Sequence, residues 1–128
     1  MEIILESKNF STISTEALVT YAFDHDNRIE GVVAEIDRAM DGRLAPLAAS
    51  GELTGKAFEM VLLHYPGGLA AQRLLLVGAG KREKFSTTEL RKIAGAAGRY
   101  LKPRGVKKFS FLLREGEYGL AAVQAVAE

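Results

Sequence analysis

The stretch Arg73-Leu74-Leu75-Leu76-Val77-Gly78-Ala79-Gly80-Lys81-Arg82-Glu83-Lys84-Phe85 limits the possible folds more than any other part of the chain. Residues 74–77 are apolar without polar alternation, the pattern of a strand covered on both faces. Gly78 and Gly80 close that strand, where a chain needing positive φ places glycine. Ser86 then reads as a helix N-cap, and Glu89 three residues on completes a capping box. Phe85 and Leu90 flank the cap at the spacing of a hydrophobic staple. Leu90, Ile93, Ala94, Ala97 and Leu101 follow along one helical face. Arg91, Lys92, Arg99 and Lys102 fall largely on the wet side, and Pro103 sets the helix end near Lys102. A doubly covered strand running into an amphipathic helix makes the chain an α/β domain.

A strand, a glycine turn and a helix also invite a nucleotide reading. Gly78 and Gly80 fit the first two positions of G-x-G-x-x-G, but the third is Glu83. The helix also starts too late to offer its first amides to a phosphate at the glycines. A P-loop fails twice: its first glycine would be Leu75, and its Ser/Thr after lysine is Arg82. The preferred reading is a strand-to-loop corner where only glycine fits.

At 128 residues the chain is one domain by length, with enough surface to bury a proper core. It has no cysteine, which rules out a disulfide framework, a thiolate metal site and a thiol nucleophile. Residues 1–6 lack the basic start and long apolar stretch of a signal peptide, and no run approaches the length of a membrane helix. Net charge is +1 but unevenly spread. Residues 1–64 carry 5 Lys/Arg and 11 Asp/Glu, whereas residues 65–128 carry 12 and 5. Such asymmetry suits an anionic partner. The preferred expectation is that early and late segments interleave in a sheet and the charges mix over the surface.

Along the chain, residues 2–6 read as a first strand, 7–16 as a Ser/Thr/Asn-rich loop and 18–23 as a second strand. Asp24-His25-Asp26-Asn27 reads as a solvated turn rather than a metal site, since neighbours in one turn rarely converge on an ion. Ile29, Val32, Val33, Ile36 and Met40 mark an amphipathic helix ending near Gly42. A short helical turn around Pro46 follows. Strands are expected over 58–65 and 107–113, with Pro66-Gly67-Gly68 as a turn. Tyr118, Leu120, Ala121, Val123, Gln124 and Val126 suggest a last helix. It is still in apolar periodicity at Glu128, so the chain is expected to be a piece of a longer one.

Catalytic constellations are missing. There is no cysteine, no histidine pair at ligand spacing and no G-x-S-x-G elbow. His25 and His64 lie in different elements, and His64 reads as an edge or core residue.

The residues Gly55-Lys56, His64-Tyr65-Pro66-Gly67-Gly68-Leu69, Arg73 through Lys81, and Leu90-Arg91-Lys92-Ile93-Ala94-Gly95-Ala96-Ala97 stand in an order that resembles the N-terminal domain of the M17 leucyl aminopeptidases, the cytosol aminopeptidases. Similarity is weaker over 16–54 and 103–128. The resemblance implies a three-layer α/β/α sandwich with a mixed sheet, similar to macro domains. It implies that residues 1–128 are a single N-terminal domain, with a C-terminal catalytic domain absent from this chain. It further implies a cytoplasmic, hexameric parent enzyme that removes N-terminal amino acids from peptides with two divalent metals, zinc or manganese. The metal ligands and catalytic lysine of that family lie in the C-terminal domain, so no catalytic, cofactor or metal residue is carried over. This chain is expected to be an inert accessory and assembly domain, contacting its own catalytic domain and other subunits, with no membrane.

Two alternatives stand beside it. A DNA-binding module would use the basic second half, with Lys81, Arg82, Lys84, Arg91 and Lys92 as candidate anion contacts, supported by Arg99, Lys102, Arg104, Lys107 and Lys108. No aromatic interleaving accompanies them. A macro-like ADP-ribose-binding domain rests on fold analogy alone.

Overall fold

The computed structural model describes residues 2–6, 10–24, 29 and 31–112, with side chains described from residue 10 onward. The last helix expected from Tyr118, and His25 to Asn27 of the expected turn, lie outside the described residues. Strands β1 (Glu2–Glu6), β2 (Leu18–Ala22), β3 (Met60–His64), β4 (Arg73–Gly78) and β5 (Lys108–Leu112) form one sheet in the order β1-β5-β2-β4-β3. The first four strands of that order run parallel, and β3 pairs antiparallel to β4 at the edge. Among the described residues the helices are α1 (Gly31–Ala39), α2 (Ala45–Ser50) and α3 (Thr87–Leu101), with a 3-10 turn at Phe10–Thr12 inside the expected loop.

Parallel strands sit between helical layers, so their sequences must be apolar on both sides. Every residue of β2 is buried, as are residues 74–78 of β4. Val19, Tyr21, Leu75, Val77, Phe109 and Phe111 face one way and join Leu90, Ile93, Ala94, Ala97 and Leu101 of α3. Leu18, Ala22, Leu74, Leu76 and Leu112 face the other way and join Val33, Ile36 and Met40 of the α1 region and Leu44 beside α2. The expected α/β/α sandwich with a mixed sheet is therefore present.

Local signals set the helix ends. The Ser86 hydroxyl accepts the Glu89 amide at 3.4 Å, as an N-cap should. After Leu101 the chain tightens into a 3-10 turn at Lys102–Arg104, where Pro103 stops the α-helix.

Three expectations need correction. The strand expected over 58–65 is shorter at both ends, Met60–His64, because Phe58 (φ 65°) and Tyr65 (φ 48°) are in the left-handed region, which ends the extended conformation. Gly78 is not a positive-φ residue, although Gly80 is (φ 74°). The charges also do not mix: residues 82–104, around α3, carry seven Lys/Arg against two Asp/Glu. Residues 31–59, around α1 and α2, carry three against five. Here α1 and α2 pack on one face of the sheet and α3 on the other, so the charge asymmetry of the sequence becomes an asymmetry of layers.

Candidate functional site

The C-terminal ends of parallel strands are where α/β sheets usually bind ligands, and Gly78 to Gly80 leave β4 there. The main chain at this corner is fully engaged. The Gly78 amide donates to Glu59 O at 2.7 Å, the Ala79 amide to Ala22 O at 2.9 Å and the Gly80 amide to Gly55 O at 2.9 Å. The Gly80 carbonyl in turn accepts the Asp24 amide at 2.9 Å. A phosphate would find none of these three amides available. The preferred reading of a corner built for glycine holds, with a more specific reason at Gly78. A Cβ there would lie 1.7 Å from Lys56 O, so the position needs close backbone approach rather than left-handed φ. Gly55 is its counterpart on the facing loop, where a Cβ would lie 2.3 Å from Phe23 O.

Glu59 locks that facing loop. Its carboxylate accepts the Thr54 amide at 2.8 Å, the Thr54 hydroxyl at 2.6 Å and the Gly55 amide at 3.1 Å. Next to it the Phe58 amide donates to Gly78 O at 2.8 Å while Gly78 donates to Glu59 O. Two residues thus oppose one, a β-bulge whose first position is left-handed and normally glycine. Here it holds a phenylalanine that is 44% exposed.

The sequence-derived anion contacts divide into two groups. Lys81 Nζ is 3.5 Å from Asp24 Oδ2 and donates to Asp24 O at 3.3 Å. The Arg82 guanidinium stacks 4.4 Å from the Phe23 ring centroid, within an aromatic cluster of Tyr21, Phe23 and Phe85. Arg82 opens a 3-10 turn, Arg82–Lys84, in which Lys84 is exposed. These three sit before α3, whereas Arg91 and Lys92 sit on it. Lys92 Nζ meets Glu89 Oε1 at 3.6 Å. Arg91, Lys92, Arg99 and Lys102 fall within about 100° of one another around the helix axis, forming one exposed stripe. Arg104 closes it, stacked 3.7 Å from the Tyr100 ring centroid and donating to Tyr100 O at 2.7 Å.

Metal chemistry finds no support in the donor set. Among the described residues no group of three or more His, Cys, Asp or Glu converges to hold an ion. Two of the acidic side chains hold main chain: Asp37 accepts the Leu44 amide at 2.7 Å, and Glu16 accepts the Lys107 amide at 3.0 Å. The two-metal chemistry implied by the resemblance therefore does not fit these residues, and no step is derived through it. His64 is exposed at the end of β3, an edge residue as read from the sequence.

A feature the sequence reading passed over is the β3 edge. Glu59–Gly78 and Tyr65–Gln72 are hydrogen-bonded pairs, with Gly78 N to Glu59 O at 2.7 Å and Tyr65 N to Gln72 O at 2.6 Å. Alternation in an antiparallel ladder then makes Val61–Leu76 and Leu63–Leu74 the bonded pairs between them. Met60, Leu62 and His64 direct their N–H and C=O groups away from β4. Among the described residues no strand pairs with them. The missed signal was a run of Met60-Val61-Leu62-Leu63 with neither charge nor proline, the residues that usually blunt an edge.

Residues 17–128 match the model of the cytosol aminopeptidase family, N-terminal domain. The chain belongs to that family. A probable cytosol aminopeptidase of Solibacter usitatus is 40% identical over 113 residues, covering 88% of this chain and 21% of the relative. Another from Koribacter versatilis is 40% identical over 124 residues, 94% of this chain and 24% of the relative. The chain thus spans less than a quarter of the length of these curated relatives. Among solved structures, a tomato leucine aminopeptidase mutant superposes with a TM-score of 0.72 at 19% identity, over 98% of this chain and 26% of that one. The macrodomain of Thermus aquaticus DarG superposes at 0.71 and 10% identity, over 97% and 87%. These likenesses establish the expected macro-domain-like fold. They also give the quoted glycine motifs a physical meaning, since Gly55 and Gly78 are where two loops of the domain mesh.

Proposed function

We propose that this chain is the non-catalytic N-terminal accessory domain of a leucyl aminopeptidase, acting by packing on the catalytic part of the enzyme, aiding assembly and shaping access to its site. The observation that carries the reading is the family match over residues 17–128. The parent enzyme, on this reading, is a cytoplasmic hexamer that removes N-terminal amino acids from peptides. Its two divalent metals, zinc or manganese, polarise the scissile carbonyl and supply hydroxide when bound to the C-terminal domain. This chain supplies a rigid layered body and its outer surfaces. Purified chain should not hydrolyse a leucyl amide with added manganese or zinc. Hydrolysis that follows the chain through every purification step would overturn the reading.

The basic stripe on α3 favours a second reading, binding of duplex DNA. Arg91, Arg99 and Lys102 carry it best, because Lys81, Arg82 and Lys92 already engage Asp24, Phe23 and Glu89. Affinity should then fall steeply with salt as counterions are released. Arg91→Glu with Lys102→Glu should abolish it. Absence of binding to duplex DNA at low salt removes this reading.

A further inference from the structure

Helix α3 carries two glycines in its interior, Gly95 and Gly98. Interior glycine weakens a helix relative to alanine. Packing among the described residues does not demand it at Gly95. A Cβ there would meet only Arg99 Nη1 at 3.2 Å, the tip of a flexible side chain. Arg91, Gly95, Gly98 and Lys102 step i, i+4, i+7, i+11 along the helix. Those steps keep the four within about 60° around the axis, in a row about 16 Å long. The row has a cation at each end and a bare middle. Both cations are exposed, and among the described residues neither meets an acid.

Residues 113–128 lie outside the described residues, and their sequence reads as a helix around Tyr118 to Val126. That sequence repeats the row with the opposite sign. Glu117, Ala121, Gln124 and Glu128 take the same steps, with an acid at each end. The rest of the circumference, with Tyr118, Leu120, Val123 and Val126, is apolar, so this row is the one polar stripe of the expected helix.

We infer that the Arg91–Lys102 row of α3 is the seat of residues 117–128, docked as a helix parallel to α3 with Glu117 at Arg91 and Glu128 at Lys102. Topology sets the direction. Strands β4 and β5 both run parallel to β2, so β5 ends at the margin of the sheet where α3 begins. A helix returning from Leu112 therefore runs the same way as α3. The link 113–116 reaches roughly 13 Å, enough to rise to a helix layer about 10 Å above the sheet. Strand–helix–strand units with parallel strands are right-handed in nearly all cases, and α3 so placed turns this row toward β5 rather than toward β3. Glycine at 95 and 98 lets a second backbone come close. Seated there, the segment withdraws Arg91 and Lys102 from any nucleic acid. The inference does not depend on the accessory-domain reading.

A charge-reversal cycle in the full chain tests it, read by thermal melting at low salt. Arg91→Glu with Lys102→Glu should lower the melting temperature by about 4 °C, and so should Glu117→Lys with Glu128→Lys. The four substitutions together should melt higher than either pair. A quadruple variant that melts no higher overturns the inference. So do reversals of Glu117 and Glu128 that leave melting unchanged, which would put the acidic stripe in water. Should a reversed chain fail to fold, cross-linking decides, since the chain has no cysteine of its own. A short bis-maleimide should join Arg91→Cys to Glu117→Cys but not Arg91→Cys to Glu128→Cys, one row length away. Any other pattern overturns the docking. Neither readout involves DNA or peptide hydrolysis, so its failure leaves the accessory-domain reading untouched.

Discussion

The glycine corner at residues 78–80 and the edge at residues 60–64 lie at opposite margins of one β-hairpin interaction, and they handle their backbones in opposite ways. At the corner, three consecutive amides are spent on Glu59, Ala22 and Gly55, and glycine at 55 and 78 lets two loops touch main chain to main chain. At the edge, alternate residues have no strand partner among the described residues, and the glycine-type backbone positions at either end hold Phe58 and Tyr65 instead. A corner sealed in this way is built for shape. The edge is apolar and half-buried, and its outward main-chain groups face away from β4.

The largest expected effect breaks the corner. Gly78→Ala sets a methyl 1.7 Å from Lys56 O, and backbone cannot yield as a side chain tip can. Chemical denaturation should show a loss of more than about 3 kcal/mol, or no folded protein. A loss below about 1 kcal/mol would mean that the corner is loose. Next is Glu59→Ala, which strands the amides of Thr54 and Gly55 and should cost about 2 kcal/mol in the same assay. Thr20→Val should act with the opposite sign. Its buried hydroxyl has no hydrogen-bond partner among the described residues, so an isosteric methyl should add roughly 1 kcal/mol. The smallest effect sharpens the contrast from the edge side: Tyr65→Gly should leave the stability of the monomer within about 1 kcal/mol or raise it, because left-handed backbone suits glycine. A clear loss of stability would show that the ring works within the monomer.

Much of the frame was legible because its signals are local. The apolar run at 74–77, the Ser86 cap and the Leu90, Ile93, Ala94, Ala97, Leu101 face of α3 all appear where the residues put them. The true role of Gly78 was not legible, since it depends on Lys56, far away in the chain. The segregation of charge was misjudged for a related reason. Sequence order says which helix is basic, but only the sheet decides that α3 lies on the face opposite α1 and α2. The candidate contacts Lys81 and Arg82 looked alike as sequence, and only the fold sets Asp24 and Phe23 beside them. The β3 edge escaped because an apolar strand reads the same whether it sits at the centre of a sheet or at its margin.

Residue-resolved amide hydrogen exchange, measured on dilute chain, tests the contrast most directly. At low concentration Gly78, Ala79 and Gly80 should be protected along with Val61 and Leu63, while Met60, Leu62 and His64 exchange freely. Fast exchange at Gly78 to Gly80, or protection at Met60, Leu62 and His64 equal to that of Val61 and Leu63, would contradict the account.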